Sequence, residues 1–235
     1  GPWPHELSAS SKTGQLDFGP ESQVNLLDIE LRWCDYWLKG IENGIMDESP
    51  IRIFVMGDNS WRDEWEWPLS RTIFTDYYLH SGGNANNMVS DGLLNKKCPN
   101  QEPDDSYFYD PNNPVPTLGG NHDMPPEIIS VGPWDQRPLE ARDDVLVYTS
   151  DVIEDDLEIT GPVVLHLYAA SSAPDTDFTA RLIDVYPDGR SMNLCEGVIR
   201  ARYRDSFTEP SLMVPETVYE FTISLEVISN LFKRN

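Results

Sequence analysis

The chain has 235 residues, 39% of them hydrophobic and 24% charged, which is typical of a globular protein and excludes a wholly disordered or collagen-like one. Forty acidic residues against 17 basic ones give a net charge of −23, so phosphate backbones and acidic lipid headgroups repel the chain. We therefore expect no nucleic-acid or membrane partner, and no run approaches the 18 apolar residues of a transmembrane span.

The first predicted element is a helix over residues 24–40, followed by Gly40 and Gly44 as stop signals. Its apolar residues recur at i, i+3, i+4 and i+7 over a wide arc, which predicts a helix buried on most of its circumference. The sequence offers no second helix of comparable strength to pack against it. The apolar positions are Leu27, Ile29, Leu31, Trp33, Cys34, Tyr36, Trp37 and Leu38.

From Ser49 onward the apolar period changes to two, which predicts β-strands separated by connectors rich in Pro, Gly and Asp. A turn at 187–190 joins two of these strands as a hairpin, whereas residues 82–144 predict a long excursion with at most one or two strands. We expect a mainly β fold, an antiparallel sandwich of jelly-roll type. The predicted strands are 51–56, 72–80, 145–149, 163–169, 178–186, 192–204 and 217–226.

No complete catalytic constellation is present in the sequence. It contains no Gly-x-Ser-x-Gly elbow, Walker loop, dinucleotide-binding glycine motif, His-Glu-x-x-His or EF-hand loop. The exception is His5, because the Gly1–Pro4 turn before it is rigid enough to hold an imidazole in a fixed position.

The order of the short motifs resembles the cocaine esterase and X-Pro dipeptidyl-peptidase family of serine hydrolases. Single motifs of this kind are weak, but the ordered series spans nearly the whole chain and is therefore specific. The motifs are Gly-Pro-Trp-x-His at 1–5, Asp-Phe-Gly at 17–19, Trp-x-Asp-Tyr-Trp-Leu-Lys-Gly at 33–40, Ile-Phe-Val-Met-Gly at 53–57, Trp-Arg at 61–62, Tyr-Tyr-Leu at 77–79, Tyr-Asp-Pro at 109–111, Pro-Val-Pro-Thr-Leu-Gly-Gly at 114–120, Asp-Gln-Arg at 135–137, Leu-Val-Tyr-Thr-Ser at 146–150, Gly-Pro at 161–162, Asp-Thr-Asp-Phe at 175–178 and Asp-Gly-Arg at 188–190.

The resemblance implies an α/β-hydrolase domain with a Ser-Asp-His triad followed by a galactose-binding-like jelly roll. Residues 1–48 would be the last helical segment of the hydrolase domain, and residues 49–235 a jelly roll lacking its last strand or strands. His5 would be the triad base, with the serine and aspartate encoded upstream. We therefore expect a fragment that is inactive alone, from an enzyme that hydrolyses small esters, amides or X-Pro peptides without a cofactor or metal.

Alternative hypotheses concern a cluster of tryptophans interleaved with charged residues: Trp61, Trp65 and Trp67. The cluster could stack sugars in a non-catalytic carbohydrate-binding module, but we favour a seam between the jelly roll and the hydrolase domain. A third hypothesis is an interaction domain that forms a homo-oligomer through an open strand edge.

The remaining polar residues favour structural roles. Asp175, Asp177, Asp184 and Asp188 could hold calcium, but turn hydrogen bonds are the favoured interpretation. Arg200, Arg202 and Arg204 would share one face of a strand and form local ion pairs. His166 is expected in the interior or at a domain interface, and His80 and His122 on the surface. Cys34, Cys98 and Cys195 show neither zinc nor disulfide spacing, which favours a reducing, cytoplasmic compartment.

Overall fold

The computed structural model describes residues 1–4, 10–87, 89–125 and 127–234, and within these ranges the protein is mainly β. In this described part of the chain, ten strands and two α-helices alternate with long irregular connections. In chain order they are β1 (Lys12–Thr13), β2 (Leu16–Asp17), α1 (Leu26–Lys39), β3 (Ile51–Val55), β4 (Ser60–Glu64), β5 (Tyr78–His80), β6 (Leu93–Asn95), α2 (Arg137–Glu140), β7 (Leu157–Ala169), β8 (Asp177–Val185), β9 (Ser191–Arg200) and β10 (Tyr219–Phe232).

Two long antiparallel pairs enclose the main hydrophobic core. β7 pairs with β10 and β8 with β9, and the two pairs pack on each other through Phe178 and Phe221, whose ring centroids lie 4.7 Å apart. Alternation along β10 buries Phe221, Ile223 and Leu225 on one face, as the sequence predicts. The other buried residues of this cluster are Cys195, Ile199, Ala201, Met213 and Ile228.

The short β3–β4 hairpin is joined to the end of β10. Met56 donates its N–H to the carbonyl of Ser229 at 3.0 Å and accepts the N–H of Leu231 at 2.7 Å. Gly57 follows with a φ of 79°, and a Cβ there would lie 2.2 Å from the carbonyl oxygen of Leu231. Only glycine therefore allows the hairpin to approach β10 this closely.

Helix α1 confirms the predicted element but not its predicted burial. Asn25 caps its start by accepting the N–H of Asp28, and Gly40 ends it in the left-handed conformation. Although the structure describes all fourteen residues of α1, none of them is buried. Trp37 is 57% and Leu38 81% exposed, so the wide apolar arc is an uncovered surface.

Three other sequence predictions need correction in the β region. Of residues 72–80 only Tyr78–His80 forms a strand, and 145–149 contributes isolated bridges to Asn86 and Leu93 instead of a strand. β9 ends at Arg200 because residues 201–203 turn into a 3-10 helix, so the three arginines do not share a strand face. Their expected local ion pairs are confirmed: Arg200–Asp177, Arg202–Asp175 and Arg204–Asp205.

Candidate functional site

The Gly1–Pro4 turn is held against the protein by two hydrogen bonds. Thr13 of β1 donates its hydroxyl to the carbonyl of the buried Pro2 at 2.7 Å. The indole Nε1 of Trp3 donates to the carbonyl of Ser22 at 2.8 Å, in the 3-10 helix that precedes α1. Thr13 and Ser22 are themselves buried, so both anchors are shielded from competing water.

Trp61 on β4 connects this turn to the β region. Its ring centroid lies 5.6 Å from that of Trp3 and 5.2 Å from that of the buried Phe54. Its Nε1 donates to the carbonyl of Glu21 at 2.7 Å, and the guanidinium of Arg52 lies 5.3 Å from its ring centroid. Aromatic contacts of this kind fix ring positions as well as burying apolar area, so Trp61 joins residues 1–22 to the β3–β4 hairpin.

The β1–β2 hairpin that follows the turn is held by residues 133–135, from the middle of the sequence. Gln15 donates its N–H to the carbonyl of Pro133 at 2.8 Å, and its side chain accepts the N–H of Asp135 at 3.0 Å. The Arg137 guanidinium and the N–H of Ser191 hold the pKa of Asp135 at about 2. The carboxylate of Asp135 is therefore ionised at physiological pH and accepts the bonds from Arg137 and Ser191 in its charged form.

A buried polar network extends this support into the β8–β9 pair. Gln136 is 2% exposed and its side-chain N–H groups donate to the carbonyls of Leu118 and Trp134, at 2.8 and 3.0 Å. Its side-chain oxygen accepts Arg181, which also donates to Glu196 at 2.8 Å. Because each of these groups has a partner, the network fixes the positions of Leu118, Trp134 and Gln136 relative to β8 and β9.

The predicted base, His5, lies outside the described residues, so its role stays a prediction. What the structure describes is its immediate neighbour in sequence, Pro4, at the end of the anchored turn. Of the three predicted seam residues, Trp61 contacts Trp3 and the carbonyl of Glu21, both in the predicted hydrolase segment. The other two, Trp65 and Trp67, are 72% and 38% exposed.

Within the described ranges, no group of three or more His, Cys, Asp or Glu side chains could hold a metal ion. Three of the four candidate calcium-loop aspartates form ion pairs instead, Asp175 with Arg202, Asp177 with Arg200 and Asp188 with Arg190. Burial raises the pKa of the fourth, Asp184.

Two of the histidine predictions need correction. His80, expected on the surface, is 9% exposed and hydrogen-bonded at both ring nitrogens. His166, expected in the interior or at a domain interface, lies on the outer face of β7 with its side chain 60% exposed, so the interior position is wrong and the domain interface stays a prediction. His122 is half-buried, with Nε2 3.0 Å from the carbonyl oxygen of Ser130.

Sequence reasoning did not single out the residues that anchor the turn. The turn is bound by the hydroxyl of Thr13 and the backbone carbonyl of Ser22, and Trp61 is bound by the backbone carbonyl of Glu21. Every residue has a backbone carbonyl, so the sequence does not show which ones accept these bonds. The available signal was the pair of Trp3 and Trp61, two tryptophans that each need a partner for the indole N–H.

Neither α1 nor any other helix in the described part of the chain has the length and apolar character needed to cross a bilayer.

Comparison with known proteins gives consistent matches. Residues 43–234 match the X-Pro dipeptidyl-peptidase C-terminal non-catalytic domain. The cocaine esterase of Rhodococcus sp. (strain MB1 Bresler) is 39% identical over 240 residues, covering 99% of this chain and 40% of that protein. An aminopeptidase structure from a marine sediment archaeon, Thaumarchaeota archaeon, matches with a TM-score of 0.76 and 25% identity, over 95% of this chain and 37% of that one.

A further solved structure, an α-amino acid ester hydrolase labelled with selenomethionine, matches with a TM-score of 0.68 and 25% identity, over 86% of this chain and 34% of that one. The chain thus spans about two fifths or less of the proteins it resembles. Because the family match covers residues 43–234, the chain belongs to the cocaine esterase and X-Pro dipeptidyl-peptidase family, whose C-terminal non-catalytic domain it carries.

Proposed function

We propose that the chain is the C-terminal part of a serine hydrolase and carries the histidine of its catalytic triad, His5. The observation that supports this most directly is the anchored Gly1–Pro4 turn. A general base must be held within hydrogen-bonding reach of the nucleophile, and two buried anchors at the preceding residues serve that requirement.

The chemistry would be acyl transfer through an acyl-enzyme. His5 would take the proton of a serine encoded upstream, and then return it to the leaving alcohol or amine. The substrate class we propose is small esters, amides or X-Pro peptides, in line with the esterase, aminopeptidase and ester hydrolase names of the relatives. No step of this chemistry requires a metal or cofactor.

The exposed apolar face of α1 supports a covering hydrolase domain. Leu27, Leu31, Cys34 and Leu38 follow one another at helical spacing, and all four are exposed. A contiguous exposed apolar face is typical of an interaction surface. We propose that residues 1–48 belong to the hydrolase domain and that α1 packs on the rest of that domain.

We further propose that residues 49–235 form a galactose-binding-like jelly roll. Two packed antiparallel pairs with a common core support a sandwich. In a complete jelly roll, further strands would pair with the β7–β10 pair and with the β8–β9 pair to form two larger sheets.

The decisive experiment uses the coding sequence upstream of Gly1. We expect it to encode a Gly-x-Ser-x-x-Gly elbow followed by an aspartate. The longer protein should hydrolyse p-nitrophenyl acetate, and His5→Ala should lower kcat by about 10³-fold or more. The 235-residue chain alone should show no turnover. Full activity of His5→Ala in the longer protein would refute the assignment of the triad base.

A further inference from the structure

The contact between Trp3 and Trp61 crosses from the Gly1–Pro4 turn to the domain whose family description is non-catalytic. Trp3 is two residues from His5 along the chain, whereas Trp61 lies on β4, inside the matched range 43–234. Their ring centroids are 5.6 Å apart with an interplanar angle of 47°. A residue of the non-catalytic domain therefore touches the turn that precedes the proposed triad base.

Several contacts hold the Trp61 side chain in place, so it can restrict the position of the Trp3 ring. Its indole N–H is bonded to the carbonyl of Glu21, and Phe54 meets its ring edge-to-face at 5.2 Å. Phe54 is 5% exposed and packs in turn against Phe18, with ring centroids 6.2 Å apart. A side chain with this many fixed neighbours has little freedom to move, and it restricts the Trp3 ring that lies on it.

The remaining anchors of the turn act at different atoms. The Ser22 carbonyl holds the indole N–H of Trp3, and the Thr13 hydroxyl holds the carbonyl of Pro2. Neither of these hydrogen bonds involves the carbon atoms of the Trp3 ring system, which the ring of Trp61 meets at a tilt of 47°. The three contacts together restrain the turn at the carbonyl of Pro2 and at the indole N–H and ring of Trp3, and His5 follows this turn in the sequence.

We propose that Trp61 is a positioning residue for His5, acting through the ring of Trp3, so that the domain described as non-catalytic sets the geometry of the base. This inference rests on the proposed function. Misplacing a catalytic group by about 1 Å costs on the order of 10²-fold in rate, so loss of the contact between Trp61 and Trp3 should lower kcat measurably.

The test is made in the longer hydrolase, with activity and pH profile as readouts. Trp61→Leu should lower kcat about tenfold or more and leave KM within about twofold. It should also move the acid limb of the kcat/KM profile to lower pH, because an imidazole held less closely to the triad carboxylate loses the interaction that raises its pKa. Trp61→Phe keeps a ring against Trp3 and should stay within about threefold of wild type.

Trp65→Leu is the matched control, since it removes an exposed tryptophan four residues away, and it should leave both readouts unchanged. Thr13→Val removes the bond to the Pro2 carbonyl at nearly constant volume and should move the acid limb in the same direction. If Trp61→Leu does not fold, Trp61→Met takes its place, and a folded Trp61→Met with wild-type kcat and pH profile would overturn the proposal.

A folded Trp61→Leu with wild-type kcat and pH profile would overturn it directly, as would an equal loss in Trp65→Leu. His5→Ala separates this result from a failure of the proposed function. If His5→Ala is inactive and Trp61→Leu behaves as wild type, only the positioning role is wrong. If His5→Ala is fully active, the triad assignment itself falls.

Discussion

At the scale of single residues, His80 has the most constrained chemistry among the described histidines. Its Nδ1 lies 2.8 Å from a carboxylate oxygen of Glu102, and its Nε2 lies 2.8 Å from the carbonyl oxygen of Lys97. Both neighbours are acceptors, so both bonds form only when both ring nitrogens carry protons. The hydrogen bond to Glu102 accordingly raises the pKa of His80 above its ordinary value, although desolvation opposes it.

This geometry predicts that His80 stabilises the fold in a pH-dependent way. A group with a raised pKa contributes stability that is fully present below its unfolded pKa, near 6.5, and that is lost as pH rises through the folded pKa. We expect the free energy of unfolding to fall from pH 6 upward, and this fall to be absent in His80→Gln. Urea unfolding between pH 6 and 9 measures it.

The control for His80 is His166→Gln, which changes an exposed histidine on β7 and should leave the pH dependence as in wild type. The same fall in His80→Gln would show that another group is responsible. The sequence predicted His80 on the surface, and this prediction failed because the partners of its ring are distant in sequence. The carbonyl of Lys97 and the carboxylate of Glu102 come within hydrogen-bonding distance of His80 only in the folded chain.

At the scale of elements, the long connection between β6 and β7 depends on a glycine that fits beside the Arg181–Glu196 ion pair. Gly120 has a φ of 111°, and a Cβ there would lie 2.2 Å from a carboxylate oxygen of Glu196. Glu196 is held in turn by Arg181 through its other carboxylate oxygen, so moving the Glu196 side chain aside would strain that ion pair. Backbone conformation and space both require glycine here.

We therefore expect Gly120→Ala to lower the free energy of unfolding by about 2–4 kcal/mol. Gly40→Ala is the matched control, because Gly40 also has a positive φ, 67°, but no heavy atom lies within 4 Å of its Cβ position. That control should cost only about 1–2 kcal/mol. Chemical denaturation of both variants measures the difference, and equal costs would mean that the contact with Glu196 carries no energy.

Elements with a clear period were predictable from the sequence, and elements defined by their partners were not. The 24–40 pattern predicted α1 within two residues, since periodicity and a terminal glycine are local signals. Residues 72–77 have the composition of a strand but no strand pairing among the described residues, because pairing depends on what lies beside them. Trp61 was expected at a seam, but its contact with Trp3 required the fold.

At the scale of the whole molecule, the exposed face of α1 relates the chain to the enzyme we propose. Cys34 lies on that face, at helical spacing from Leu27, Leu31 and Leu38, and its thiol is exposed. Cys98 is exposed elsewhere, and Cys195 is buried in the hydrophobic core between the two long strand pairs, where desolvation raises the pKa of its thiol to about 12. The three cysteines therefore report on one proposed interface, one open surface and one core.

We expect a thiol reagent at pH 8 to label Cys34 and Cys98 of the isolated chain and to reach Cys195 only after unfolding. In the longer hydrolase, packing of α1 on the remainder of its domain should slow the labelling of Cys34 about tenfold or more, while Cys98 keeps its rate. Peptide mass mapping of timed samples measures each site. Equal rates for Cys34 in the two proteins would show that this face stays open in the enzyme, and α1 would then belong to an interface with some other partner.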